Sequence, residues 1–431
     1  MFSYIWANIF PGMPARFRKD LQYYKFSLYG FLKNLKFFDP FLLLFFLEKG
    51  LIFTQIGTLY AIREVTRNIF EVPSGILADA MGRRKAMITC FLFYIASFIV
   101  FYLTSGFVPF IGAMLLYSLG DAFRTGTHKA MIFEYLRING WQDQKTHYYG
   151  HTRGWSQMGS ALSSLLAALI VFHEGSYQSV FLYSTIPYVL DMVLMMSYPS
   201  VLDGKERGTD LRDIGRNYKK VVRQFIHSFR NPAVLGAILN VSSFSGYYKA
   251  VKDYLQPFIR TFALGLPLMV GLEDKQRAAV LVGVFYFILY FLTSFASRSS
   301  GKVTERIGNI ALVVNLTLIA GVGAGMLSGL FYELGMVLLA ILFYFLVFVL
   351  ENLRKPAGIA YVSEKLDQDI LASALSAESQ AETLFAALLA LVLGFCAEWL
   401  GVGYGLMITS ALILMVFPLI MAFISRQRKR T

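Results

Sequence analysis

The sequence predicts an all-α integral membrane protein, with twelve transmembrane helices arranged as two pseudo-symmetric six-helix bundles. Three observations lead there. Apolar residues make up 56% of the chain and charged residues only 16%, with mean hydropathy +0.55, whereas soluble domains carry about 25% charged residues. Predominantly apolar stretches of about 20 residues, enough to cross roughly 30 Å of hydrocarbon, recur along almost the whole chain. They divide six and six around a polar, basic segment, and residues of the first half return at fixed offsets in the second.

The first six spans are expected at 31–48, 55–78, 86–105, 107–137, 153–172 and 178–198, the second six at 233–257, 277–299, 309–331, 335–356, 374–396 and 401–424. These give a cytoplasmic or interfacial N-terminal segment at 1–30, a first bundle at 31–200, a basic linker at 201–231, a second bundle at 232–424 and a basic tail at 425–431. The linker region, VLDGKERGTDLRDIGRNYKKVVRQFIHSFRNP, is closed by Pro232 and reads as amphipathic rather than spanning. The opening MFSYIWANIFPGMP lacks the charged n-region and cleavage site of a secretory signal, so it is expected at the interface.

Charge sets the orientation. With the amino terminus in the cytoplasm, Lys and Arg concentrate on cytoplasmic termini and loops, as the positive-inside rule requires. Both termini are therefore expected in the cytoplasm, fitting a bacterial inner membrane. The net charge of +13 follows from topology and attraction to anionic headgroups, so the bilayer is the expected partner and nucleic acid is not. A monomer is expected. Cys90 and Cys396 fall inside spans and read as packing residues. His128 in the fourth span and the pair His147 and His151 are a weak basis for a metal site, and none is expected. The chain has no Walker phosphate loop, Gly-x-Ser-x-Gly elbow or His-Glu-x-x-His pair, so neither catalysis nor a cofactor is expected.

The informative residues are charges where lipid would lie. In TLYAIREVTRNIFEVPSGILADAMGRRK, Arg63, Arg67 and Glu71 are four residues apart and share a helical face, with Glu64 beside them. Ionisable groups at membrane depth are costly; they face a bundle interior or water and mark ion or substrate pathways. The fourth span carries GDAFRTGTHKAMIFEYL and the tenth LENLRKPAGIAYVSEKL. At an offset of 230, Asp121 meets Glu351, Arg124 meets Arg354 and Glu134 meets Glu364. Such parallel repeats are a secondary-transporter architecture. They predict two acid–base pairs, Asp121–Arg124 and Glu351–Arg354, on opposite sides of a central cavity. An acid three residues before an Arg also fits a self-neutralising pair that only stabilises its helix. Asp39 in the first span and Lys249 in the seventh are further candidates, Lys252 and Asp253 could form an outer gate, and Glu378 and Glu382 are expected to pair with basic residues near the inner end.

Gly75, Asp79 and Gly82 of SGILADAMG return 226 residues later as Gly301, Glu305 and Gly308 of SGKVTERIG, each set following the second helix of its half. GILADAMGRRK also matches, from Gly75 through Arg84, the Gly-x-Leu-Ala-Asp-x-x-Gly-Arg-[Arg/Lys] signature between helices 2 and 3 of the major facilitator superfamily, which the chain resembles over nearly its whole length. The resemblance implies alternating access between two six-helix bundles, and gives Asp79, Arg83 and Arg84 a part in a charge relay that latches the outward-facing state. The fifth span lacks the Gly-Pro motif of drug–proton antiporters in that superfamily. Arg124-Thr125-Gly126 partly meets the Arg-centred motif that proton-coupled members carry on helix 4.

The expected function is transport of a small molecule by alternating access, with proton-coupled export of a small polar or charged metabolite or toxic compound as the first reading. Proton-coupled import of an organic anion, a non-transporting membrane receptor or scaffold, and a lipid flippase are the alternatives. In the transport reading Arg124 or Arg354 holds an anionic group, while Asp121, Glu351 or Glu64 takes up a proton when its Arg partner is drawn away.

Overall fold

The structure is a computed structural model that describes residues 19–203, 232–267, 269–364 and 368–428, and all regular structure among them is helical. Residues 204–231, nearly the whole expected linker, lie outside the described residues. Seven described helices contain stretches long and apolar enough to cross a membrane, at 83–103, 150–174, 179–196, 274–307, 310–333, 337–363 and 377–400. Apolar surface all around these helices suits burial in lipid on one side and in the bundle on the other.

The first span begins earlier than its hydropathy suggests. Helix α1 (Leu21–Lys33) starts at Asp20, whose Oδ1 accepts the Tyr23 amide at 2.8 Å as an N-cap. A boundary at residue 30 therefore falls inside α1. The segment LQYYKFSLYG falls within the stretch 1–30 expected to be cytoplasmic or interfacial. Tyr23, Phe26 and Tyr29 are nevertheless buried, and Lys25 reaches the Ser197 carbonyl at 2.7 Å.

Three spans are broken in mid-course, and each break carries charge. After α1 the chain is irregular to a 3-10 turn at Asp39–Phe41, then continues as α2 (Leu42–Glu48). The next helices are α3 (Phe53–Met81) and α4 (Arg83–Leu103). The fourth span divides into α5 (Phe107–Arg124) and α6 (Thr127–Ile138) at Gly126, whose φ is +79°. Helices α7 (Lys145–Glu174) and α8 (Ser179–Met196) complete the first half. The seventh span is α9 (Pro232–Val251), a 3-10 turn at Lys252–Tyr254 and α10 (Leu255–Gly265). Then follow α11 (Asp274–Ile307), α12 (Ile310–Glu333), α13 (Val337–Ser363), α14 (Gln368–Leu400) and α15 (Val402–Arg428). Non-helical backbone at membrane depth is tolerated where it lies within protein or lines a wet cavity, so the breaks mark a polar interior.

The two halves meet along α3 against α14 and α7 against α11. Small residues bring the backbones close at the distal end, the end away from the close of α8 and the start of α9. A Cβ on Gly57 would come 2.4 Å from the Ala390 carbonyl oxygen and 3.0 Å from the Gly394 Cα, and one on Gly283 would come 2.4 Å from the Ala168 Cβ. Around them the Phe53 amide donates to Glu398 Oε2 at 2.7 Å, Lys275 pairs with Glu48 at 2.5 Å and Gln276 Nε2 donates to the Phe172 carbonyl at 3.0 Å.

At the linker end, α3 turns into α4 at Gly82, where φ is +95° and a Cβ would stand 3.3 Å from the Asp203 carboxyl carbon. Asp203 accepts the Arg84 amide at 2.7 Å and pairs with its guanidinium at 3.6 Å. Gly82→Ala should therefore destabilise the protein by about 1–3 kcal/mol. Thermal unfolding in detergent, followed by tryptophan fluorescence, checks this; an unchanged midpoint would show that the turn relaxes without cost.

Candidate functional site

The breaks in the first and seventh spans face one another across the two halves, with α3 and the end of α5 beside them. Between them lies a cavity of about 180 Å³ whose wall includes Lys36, Asp39, Arg63, Glu64, Arg67, Asp121, Arg124, Lys249 and Lys252. Phe38, Leu42, Phe98, Phe101, Met114, Tyr117 and Phe181 line the remainder, so the apolar wall comes from the first half.

On α3, Arg63 and Glu64 touch at 3.1 Å, and the Arg63 guanidinium lies 4.9 Å from the Tyr60 ring centre. Their other contacts cross to the second half. Arg63 Nη1 is 3.9 Å from Asp253 Oδ2, and Glu64 Oε2 is 3.5 Å from Lys249 Nζ, which also meets Glu382 at 2.9 Å. Lys252 stands between Asp39 and Asp253, 3.3 Å from each. Tyr290 donates to Asp39 Oδ2 at 3.1 Å. Gln256 ties the two broken spans together: its Nε2 donates to the Asp39 carbonyl at 2.9 Å, and its Oε1 accepts the Leu43 amide at 2.9 Å, one of the otherwise unpaired N–H groups at the start of α2.

On the other wall, Asp121 accepts the Tyr94 hydroxyl at 2.5 Å and pairs with Arg124 at 3.2 Å. The neighbour relation expected from their spacing is present, and both residues line the cavity. Arg67 lines it as well, with a buried Nε that finds no hydrogen-bond partner among the described residues. Glu71, one turn on, points away from this cavity and accepts the Ser379 hydroxyl at 3.5 Å.

The expected second pair does not form. Arg354, 1% exposed, turns into its own half, where it donates to Asn240 O at 2.7 Å, Asn240 Oδ1 at 2.5 Å and Val314 O at 3.3 Å, with Phe244 5.1 Å from its guanidinium carbon. The backbone and amide oxygens of α9 and α12 offer a more complete shell than one carboxylate three residues away. Glu351 accepts the Ser245 hydroxyl at 2.9 Å, and its other oxygen is buried without a hydrogen-bond partner among the described residues. Arg354→Ala should therefore act on folding, at a cost of about 3 kcal/mol or more from the void and the orphaned carbonyls. Arg124→Ala, at a cavity wall, should lower the detergent melting midpoint far less. Equal midpoints for the two variants would contradict this division.

The signature loop is held within one half. Arg83 is 3.5 Å from Asp79, whose carboxylate is largely exposed, and Arg84 is tied to Asp203 and to the Tyr198 carbonyl at 3.1 Å. Gly75 has no neighbour where a Cβ would stand. In the second half Gly308 ends α11 with φ +69°, and Gly301 and Glu305 are exposed. Among the described residues no group of three His, Cys, Asp or Glu side chains is placed to hold a metal, and His128 stacks on Tyr29 with ring centres 3.6 Å apart. His147 lies among residues whose side chains are not described.

A sequence profile of the Major Facilitator Superfamily matches residues 2–377. The uncharacterized MFS-type transporter YxaM of Bacillus subtilis (strain 168) is 26% identical over 242 residues, covering 52% of this chain and 54% of that protein. The sucrose permease of Escherichia coli is 30% identical over 131 residues, covering 28% of this chain and 29% of the permease. The chain thus spans about half, or less, of the length of these curated relatives. Among solved structures, that of the nucleoside transporter NupG superposes with a TM-score of 0.74 at 13% identity, covering 94% of this chain and 99% of that one. A POT family transporter in complex with 5-aminolevulinic acid gives 0.72 at 13% identity, covering 96% and 98%. At such identities the likeness to the solved structures is one of fold.

Proposed function

The chain belongs to the Major Facilitator Superfamily, a family of membrane transporters, and from that premise we propose that it is a secondary active transporter working by alternating access and coupled to protons. The first reading is export of a small polar or charged metabolite or toxic compound, by a monomer in a bacterial inner membrane with both termini cytoplasmic. One observation carries the reading: cations and acids of the cavity wall take part in ion pairs that join the two halves, Arg63–Asp253, Glu64–Lys249 and Asp39–Lys252. Rocking one half against the other pulls such pairs apart. A carboxylate that loses its cation in a low-dielectric setting gains proton affinity, and that links domain motion to protonation. Lys252 and Asp253, between the cavity and the close-packed distal end, act in this scheme as a gate.

The balance of charge favours a second reading. Six basic residues line the cavity, Lys36, Arg63, Arg67, Arg124, Lys249 and Lys252, against three acidic ones, Asp39, Glu64 and Asp121. Asp253 and Glu382, which pair with Arg63, Lys252 and Lys249 from outside that lining, reduce the excess to one positive charge, a sign that suits an organic anion moved together with protons.

Proton flux into proteoliposomes containing a pH dye, challenged with pools of metabolites and toxic compounds, tests the function. The expected result is that at least one pool moves protons through the wild type and not through Arg124→Ala or Asp121→Asn. Equal flux through all three proteins would remove this pair from the mechanism. A non-transporting scaffold would show no flux from any pool and would tolerate both substitutions.

A further inference from the structure

The break in the fourth span opens onto a second compartment. It lies within the first half, on the opposite side of Arg124 from the central cavity, and has a volume of about 360 Å³. Its charged lining is entirely basic: Lys33, Arg124, Lys129 and Arg153, with His128 among them. Lys33 and Arg153 make no ion pair or hydrogen bond among the described residues. Asp121 engages Arg124 from the central cavity, and Asp191 on α8 is fully buried outside this lining.

Backbone adds to the same sign. Helix α6 begins at the compartment, and its N-cap, Gly126, has no side chain to satisfy the first amides. The amino-terminal end of the helix dipole favours negative charge. Asn34, Thr152, Ser156 and Gln157 add polar groups to the lining. Several cations facing one cavity repel one another unless an anion or water screens them; Lys129 and Arg153 stand at the exposed side, Lys33 and Arg124 further in.

We infer that this compartment binds an oxyanion, of the phosphate or carboxylate type, borne by the transported molecule. The inference rests on the transport reading for the identity of the occupant as cargo. Two features connect the compartments. Arg124 lines both, and the break in the first span places Lys33 in one and Lys36 in the other. An anionic group can thus pass from Lys33 to Lys36 with Arg124 in reach throughout.

The test is calorimetric titration of inorganic pyrophosphate into the full chain in phosphatidylcholine nanodiscs. Lys33→Gln and Arg153→Gln should each weaken binding about tenfold, the loss of one charge-assisted contact. Lys33→Arg should restore it, which separates a binding role from misfolding, and Arg260→Gln on the exposed distal surface should leave it unchanged. Absence of pyrophosphate binding to the wild type would overturn the inference. So would binding that depends on Lys36 and is indifferent to Lys33 and Arg153, because the anion would then sit in the central cavity. Loss of binding when phosphatidylglycerol is added to the nanodiscs would make a lipid headgroup the occupant and overturn the assignment to cargo. Proton flux measured on the same preparation keeps the two readings apart: binding without flux from any pool retains the oxyanion site and overturns transport of its occupant.

Discussion

Glu64→Gln is expected to reduce substrate-driven proton flux on the order of 100-fold, the rate equivalent of about 2.7 kcal/mol, while leaving the protein folded. Glu64 is 5% exposed and lies between two cations, Arg63 on its own helix and Lys249 from the other half. Removing one member of a buried pair usually costs about 3–5 kcal/mol, because the partner is left as an uncompensated charge. Here each cation keeps a second carboxylate: Arg63 has Asp253 and Lys249 has Glu382. The amide is nearly the same size and can accept a hydrogen bond, but it cannot exchange a proton near neutral pH. Folding and cavity shape should survive while the proton path is cut. The measurement is flux reported by a pH dye inside proteoliposomes, alongside the melting midpoint in detergent. Flux indistinguishable from wild type would exclude Glu64 from the proton path, and a collapsed midpoint would show that the residue is principally structural.

The second large effect is expected at the distal end. In Gly57→Val the Cβ alone would meet the Ala390 carbonyl oxygen at 2.4 Å and the Gly394 Cα at 3.0 Å. Both obstacles are backbone, so no side chain can swing aside. Overpacking costs about 1–3 kcal/mol, and a bias of that size shifts a two-state equilibrium about 5- to 150-fold. The halves should part at this end and transport should stop, because one of the two states has been penalised. A single cysteine at Phe53, with Cys90 and Cys396 replaced, reports the change through its rate of maleimide labelling. Faster labelling is the expected result, and an unchanged rate would mean that α3 and α14 slide past the obstruction at little cost.

Much of this architecture was legible in the sequence, because hydropathy places spans well wherever lipid is the solvent. The expectation and the structure differ at the first span, where a boundary at residue 30 falls inside α1, whose start at Leu21 the hydropathy did not mark. That difference has a consequence for the site. With α1 beginning at Leu21, Lys33 and Lys36 belong to mid-course rather than to a flank, and neither was singled out. The breaks had local signals that were not used: Asp39-Pro40, Gln256-Pro257 and Thr125-Gly126 each carry a residue that disfavours a continuous helix.

The charged candidates were easier to identify than to orient. Arg63, Glu64, Arg67, Asp121, Arg124 and Lys249 stand out against apolar neighbours, and all line the cavity. Arg354 stands out equally and turns the other way, because Asn240 and two stretches of helix backbone accept it. A repeat offset matches positions along the chain and says nothing about which partner each copy finds. Gln256, Asn240 and Asp203 were invisible for a related reason, since their importance comes from contacts remote in sequence.

The ion pairs between the halves also constrain how the protein can be made. As the chain leaves the ribosome, α3 presents Arg63, Glu64 and Arg67 to the insertion machinery long before Lys249, Lys252 and Asp253 exist. Each charged residue near the centre of an isolated helix raises the cost of insertion by about 2.5–3.5 kcal/mol, and only the Arg63–Glu64 contact is local. The first half must therefore shelter α3 from lipid with its own helices until the seventh span arrives. Biogenesis is thus ordered by charge, with the early half held incomplete until the late half delivers the counter-charges that settle it in the bilayer.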